Sequence, residues 1–296
     1  MNKTLDKVKA AATQDAPKKG RPDLHLTEIE PVKGWVPLQL AELWQYRDLA
    51  YLLVWRDIKV RYKQTVIGST WAILQPLITM IVFTLLFDKL VKIDTGDTPY
   101  PIFSYSALVP WTFFTHAMTK LSTCLTSNYD LVTKVYFPKL VIPISIIMAA
   151  FVDFIISFVM LLVLMLIYGI TPGIGIITLP FFILMAIATA FGIGLWLAAV
   201  NLQFRDISNA VPFIIQIWMF VTPIVYPSSL VPEKWRALYG LNPMAGVIEG
   251  FRWALLGSSW EMPVAVLVTS LFAIAVILLG GLFFYRRKEM TFAEVA

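Results

Sequence analysis

The chain has 296 residues, 58% of them hydrophobic and only 15% charged, where a soluble domain carries about 25% charged residues. Long apolar runs fill most of that length, which excludes a separate soluble catalytic domain beside them. The formal net charge of +5 does not point to nucleic acid, because the basic residues gather at the ends of apolar runs. There they orient a membrane protein and meet anionic lipid headgroups.

The N-terminal segment is polar and rich in Lys, Asp and Pro, as in Ala16-Pro17-Lys18-Lys19-Gly20-Arg21-Pro22. No apolar core follows its first lysines, so it does not read as a signal peptide, and residues 1–41 read as a flexible cytoplasmic arm. Residues 42–68 are expected to form an interface helix and the loop leading into the first span. Trp44, Leu52, Leu53, Trp55 and Val60 sit among Arg47, Asp48, Arg56, Asp57, Lys59 and Arg61. That mixture suits a helix lying in the cytoplasmic interface, either as an anchor or as a partner contact.

Residues 69–288 carry apolar runs at 70–87, 102–118, 141–168, 174–200, 211–226 and 264–285. Each is about long enough to cross a bilayer, which takes roughly 20 mostly apolar residues per helix. Strands of a membrane barrel are about 10 residues long and alternate in polarity, whereas these runs are apolar all round. The expected fold is therefore an all-α integral membrane protein with six transmembrane helices and a cytoplasmic tail at 289–296.

Two connections depart from simple loops. Residues 128–139, between the second and third runs, are short and amphipathic, and Phe137-Pro138 forces an extended exit. This segment either docks on a cytoplasmic partner or is only a loop. Residues 227–263 contain an apolar stretch at 245–257, bounded by Asn242-Pro243 and Gly257-Ser258-Ser259, that is too short to span. Such a run reads as a re-entrant or interfacial piece on the outer side, between helices 5 and 6. Irregular backbone at membrane depth needs protein or a water-filled cavity around it, so this element hints at a path closed from outside.

Charge sorts the run ends into two sides. Arg56, Lys59, Arg61, Lys63, Lys134, Lys139, Arg205, Arg286, Arg287 and Lys288 fall on one. Lys89, Lys92, Lys234, Arg236 and Arg252 fall on the other, diluted by Asp88, Asp94, Asp97, Glu233, Glu249 and Glu261. The more basic side is expected to be cytoplasmic, with both termini on the cytoplasmic side of a multi-pass protein of the cytoplasmic membrane.

Catalytic chemistry is missing from the pattern. The Gly-x-x-x-x-Gly-Lys-Ser/Thr loop does not occur, so the chain does not cradle ATP phosphates that way. With only His25, His116 and Cys124, neither a zinc site nor a disulfide is expected, and Cys124 reads as a small packing residue. Asp153 is the notable intramembrane charge. It either lines a conduit or makes a packing hydrogen bond to a neighbouring helix. Glu249 and Arg252, three apart, face each other across one helical turn, as a structural ion pair or a ligand contact. Gly192 and Gly194, with Ala186, Ala188 and Ala190, form a small-residue stripe that suits close helix packing. Tyr105, Trp111, Phe114, Trp218 and Tyr226 belong to an interfacial aromatic belt or to a path for sugars, whose apolar C–H faces pack on rings without charge.

Several ordered segments resemble type-2 ABC exporter permeases of the polysaccharide class. They are Trp55-Arg-Asp-Ile-Lys-Val-Arg-Tyr-Lys-Gln-Thr-Val-Ile-Gly-Ser-Thr-Trp71 with Gln75-Pro76, Tyr129 to Lys139, Asn201-Leu-Gln-Phe-Arg-Asp-Ile207, Thr222-Pro-Ile-Val-Tyr226 and Leu241-Asn-Pro-Met244. The resemblance implies a homodimer of six-helix subunits with two separate ABC ATPase subunits, which bind the ATP and Mg that this chain does not hold. It implies outward movement of lipid-linked O-antigen, capsular polysaccharide or teichoic acid, O-antigen being the leading expectation. Trp55, Arg56, Lys59 and Arg61 then belong to the interface helix. Tyr129, Asp130, Lys134, Phe137, Arg205 and Asp206 belong to the ATPase-coupling segments. Trp235, Asn242, Pro243, Glu249 and Arg252 belong to an outer gate, and Asp153 joins the aromatic residues along the path. The competing readings are a type-2 exporter of a lipid or small molecule, an ATP-independent channel or scaffold, and a membrane enzyme.

Overall fold

The computed structural model describes residues 40–63, 70–96, 98–204, 206–257 and 263–289. The expected arm up to residue 39, the loop at 64–69, Arg205 and the tail beyond residue 289 lie outside the described residues. Among the described residues every regular element is helical.

Helices α1 (Leu40–Gln45) and α2 (Arg47–Lys63) form the interface segment. Tyr51, Trp55, Lys59 and Lys63 recur every four residues on α2 and are all exposed, giving one face an aromatic row that runs into a basic one. The opposite face buries Leu53 and packs on α7.

Helix α3 (Thr70–Phe83) continues as a π-helix over Thr84–Leu90. Then come α4 (Tyr100–Ser122), the short α5 (Cys124–Ser127) and α6 (Tyr129–Lys134), and the long α7 (Val141–Ile167). A 3-10 turn leads into α8 (Leu179–Gln203), followed by α9 (Ile207–Val221), α10 (Glu233–Tyr239), α11 (Pro243–Leu256) and α12 (Val264–Glu289).

Four helical stretches are long and apolar enough by themselves to cross a membrane: residues 70–90, α7, residues 174–203 and α12. Their outward faces are apolar, with Ile78, Leu85, Ile155, Val163, Leu184, Phe272 and Val276 all exposed, as suits a lipid surround. The other two expected spans differ in opposite ways. Helix α4 has 23 residues, but its Tyr, Ser, Thr and Pro content makes it less apolar. It is surrounded by protein, packing on α3, α7, α8, α9 and α11, and most of its side chains are buried. Helix α9 has 15 residues, about 22 Å of rise, and among its side chains only Val211 is fully buried. It stops at Val221 because Thr222 precedes Pro223 and takes an extended backbone, ψ 143°.

Without a hydrophobic drive between helices in lipid, close approach and dispersion hold the bundle. Helices α8 and α12 meet backbone to backbone: a Cβ added at Gly192 would lie 2.9 Å from Leu278 Cα. Gly194 faces the Leu121 side chain of α4, so the two glycines of the stripe serve different neighbours.

Candidate functional site

Two clusters of polar side chains lie at opposite ends of the bundle. The first surrounds the irregular segment between α9 and α10, where Thr222, Pro223, Ile224 and Val225 are buried without helical hydrogen bonding. Such backbone must be satisfied by side chains. Arg252, fully buried on α11, donates to Ile224 O at 2.8 Å and pairs with Glu249 at 3.3 Å. Its guanidinium lies over the Phe103 ring, 3.6 Å from the centroid. Glu249 in turn accepts from Ser228 N at 3.3 Å, and Tyr100 donates from α4 to Val225 O at 2.9 Å.

Asn242 ties the same segment to the start of α11. Its Oδ1 accepts from Met244 N at 3.2 Å, an N-cap followed by Pro243 at the first helical position. Trp218 donates to that oxygen at 3.0 Å, and Asn242 Nδ2 donates to Thr222 Oγ1 at 2.9 Å. One amide therefore joins α9, the irregular segment and α11. Tyr226 shares a hydroxyl hydrogen bond of 3.1 Å with Tyr239 of α10, while Trp235 is exposed.

The second cluster lies at the basic end. Asp153 of α7 accepts hydrogen bonds from Arg61 and Tyr62 of α2, which docks the interface helix on the bundle. Burial outweighs the neighbouring Arg61 and pushes the Tyr62 hydroxyl above its ordinary pKa, so it remains a donor. Arg56 bonds Asp57 at 2.8 Å and Asn128 at 3.0 Å, linking α2 to the start of α6. Between α2, the end of α4 with α5, and α7 lies a cavity of about 410 Å³.

Beside it, Asp130 and Lys134 pair along α6 at 2.7 Å on an exposed face, and that hydrogen bond raises the Lys134 pKa. Tyr129 is also exposed, whereas Phe137 is buried. Lys139 holds the segment after α6. Its Nζ donates to Val132 O at 2.6 Å and Val135 O at 3.0 Å, and lies 4.5 Å from the Phe137 ring centroid. Its backbone N–H donates to Glu289 Oε1 at 2.7 Å, and its carbonyl accepts from Tyr285 at 3.1 Å. Partial burial lowers the Lys139 pKa against the pull of Glu289. The end of α12 thereby clamps the segment that follows α6. Asp206 stands exposed at the start of α9, and Asn201 accepts from Ser208 N at 3.1 Å across that turn.

The expected path residues do not share one surface of the single chain. Tyr105, Trp111 and Phe114 are in the core of α4, and the Tyr105 hydroxyl has no hydrogen-bond partner among the described residues. Trp218 is half-buried and meets the Phe114 ring edge-on at 5.3 Å, with Trp111 behind it at 5.4 Å. Asp153 belongs to the interface-helix contact, far along the chain from its partners. Among the described residues no three His, Cys, Asp or Glu side chains converge as metal ligands would. Sequence reasoning missed the clamp of Lys139, Tyr285 and Glu289. Its only linear trace is the basic run Arg286-Arg287-Lys288 ending in Glu289.

Residues 48–256 match the profile of a family described as ABC-2 type transporter. The O-antigen export system permease protein RfbA of Myxococcus xanthus is 32% identical over 260 residues, 86% of this chain and 98% of that protein. A Klebsiella pneumoniae protein of the same name is 26% identical over 84% of this chain and 95% of its own length. The polysialic acid transport protein KpsM of Escherichia coli is 25% identical over 79% of this chain and 91% of its own.

Proposed function

The chain belongs to the ABC-2 type transporter family, and on that premise we propose that it is the transmembrane permease subunit of a polysaccharide exporter. Its cargo is a lipid-linked polymer of the O-antigen kind, moved outward across the cytoplasmic membrane. The observation that carries this reading is the alignment with an O-antigen export permease over 98% of that protein's length.

In this reading α4 and α9 join the four apolar spans to give six crossings, with the basic end and both termini cytoplasmic. Separate ATPase subunits bind ATP and Mg and do the hydrolysis. Two copies of the permease pair, and the exposed Phe213, Ile217 and Phe220 face of α9 gives an apolar surface for that pairing and for the path beside it. Trp218 and Tyr226 border the path, backed by Phe114, Trp111 and Tyr105. Contacts of this kind hold a sugar polymer loosely, as they must, because a tightly bound polymer does not leave.

Helix α11 serves as the re-entrant element, and with α10 it forms the outer gate. Closure of the ATPase pair pushes residues 129–139 and 201–208. The clamp on Lys139 passes that push to α12, and the Asp153 contact passes it to α2. Deleting the gene and examining surface glycan by gel and blot tests the reading. Lost surface polymer with lipid-linked polymer building up inside is expected. Intact surface glycan with altered lipid export or drug sensitivity would overturn it in favour of a lipid or small-molecule exporter.

A further inference from the structure

We propose that the cavity between α2, α4–α5 and α7 is a binding site for the phosphate headgroup of an anionic lipid. Its volume of about 410 Å³ falls within the roughly 300–1,000 Å³ range of ligand sites. Arg56, Arg61 and Lys120 converge on it from three turns of two helices, against one lining carboxylate, Asp57. Arg61 is committed to Asp153 in the wall. Arg56 uses Nε and Nη2 on Asp57 and Asn128. Lys120 is exposed and has no ion-pair partner among the described residues. With Asp57 paired to Arg56 and Asp153 to Arg61, the three cations keep an excess of one positive charge, carried by Lys120, and an anion in the cavity is drawn to it.

The rest of the lining sets the ligand class. Thr123, Ser127 and Asn128 supply neutral polar groups suited to phosphate oxygens, while Val60, Ile146 and Ala149 form an apolar wall. No aromatic residue lines the cavity, so it offers no stacking surface for a base or a sugar ring. A free nucleotide or a glycan would leave its most recognisable part without a contact. A lipid, anionic at its headgroup and apolar in the chain beyond it, matches both walls. The exposed Tyr51, Trp55, Lys59 and Lys63 face of α2 is of the kind that settles at a bilayer interface, and Arg56 continues it towards the cavity.

Two lipids share this chemistry: a prenyl pyrophosphate, the usual form of a glycan carrier, and a bilayer phospholipid such as phosphatidylglycerol. The first source rests on the export reading; the second does not. The test is binding of farnesyl pyrophosphate, of inorganic pyrophosphate and of phosphatidylglycerol to the full chain in phosphatidylcholine nanodiscs, read by native mass spectrometry and by competition. We expect at least one of the two lipids to bind, inorganic pyrophosphate to bind more weakly than the prenyl form, and Lys120→Glu and Arg56→Glu each to weaken lipid binding about tenfold or more. Lys120→Ala, which removes an unpaired side chain, keeps the fold and is expected to give a smaller loss in the same direction. Unchanged lipid binding in all three variants, or no lipid binding by the unaltered chain, would overturn the site. Intact surface glycan after deletion of the gene would instead overturn the export reading, whatever the headgroup measurement gives.

Discussion

The two ends of the bundle solve the same problem, a charge near lipid, in different ways. At the α11 end, Glu249 and Arg252 are both almost fully buried, and hydrogen bonds tie them to each other and to main chain. At the basic end, Asp153 is buried while Arg61 keeps part of its side chain at the surface, and their contact joins two separate helices. A buried pair that satisfies irregular backbone fixes one shape. A pair between elements with one member at the surface lets them part and meet again. The difference puts rigidity at α11 and adjustability at α2.

The largest expected effect comes from breaking the rigid end. Arg252→Ala leaves Glu249 buried without its partner and frees the Ile224 carbonyl; removing one member of such a pair costs about 3–5 kcal/mol. Thermal unfolding in detergent should drop sharply and surface glycan should vanish. Arg252→Lys should rescue little, because an ammonium does not reach the Ile224 carbonyl and the Glu249 carboxylate together in the forked geometry. If Arg252→Ala melts like the unaltered protein, the α11 end is not the rigid one.

Next is Asp153→Asn, which weakens two charge-assisted hydrogen bonds to α2, each worth about 1.5–3 kcal/mol. The core should survive while α2 becomes open to protease, and unchanged cleavage would show that packing on α7 alone holds it. Tyr285→Phe removes one hydrogen bond to the Lys139 carbonyl, worth about 0.5–1.5 kcal/mol. Its signature should be ATP hydrolysis that is less responsive to the permease, with assembly intact. Smallest for stability is Lys134→Glu, since an exposed pair contributes little. Melting should not move, yet recovery of the ATPase subunit with the permease should fall if α6 is the docking segment.

Some of this was legible in the linear chain. Glu249 and Arg252 pair because three residues make nearly one turn, and α9 ends where Thr222 meets a proline. The burden on Asp153 was readable from its apolar surroundings. Its partners were not, because Arg61 lies 92 residues away and no local pattern encodes that approach. The clamp on Lys139 was hidden for the same reason: Glu289 acts on a backbone N–H 150 residues earlier in the chain, and a main-chain donor leaves no signature in sequence. Aromatic residues misled in a different way. Composition gives Tyr105, Trp111 and Phe114 the same standing as Trp218, while the fold puts the first three inside α4's packing and leaves Trp218 at its margin.

The covering of α4 on nearly every side also bears on how the protein is made. Helices emerge into the membrane one after another, and each is judged by its own transfer free energy between water and hydrocarbon. Helix α4, with Tyr105, Thr112, Thr115 and two prolines among its 23 residues, passes that judgement poorly alone. Fused by itself into a reporter, it should insert inefficiently, and adding α3 or α7 should restore insertion. The central helix of the finished bundle is thus the one that depends on its neighbours to arrive there, with α3 already made and α7 still to follow when α4 emerges.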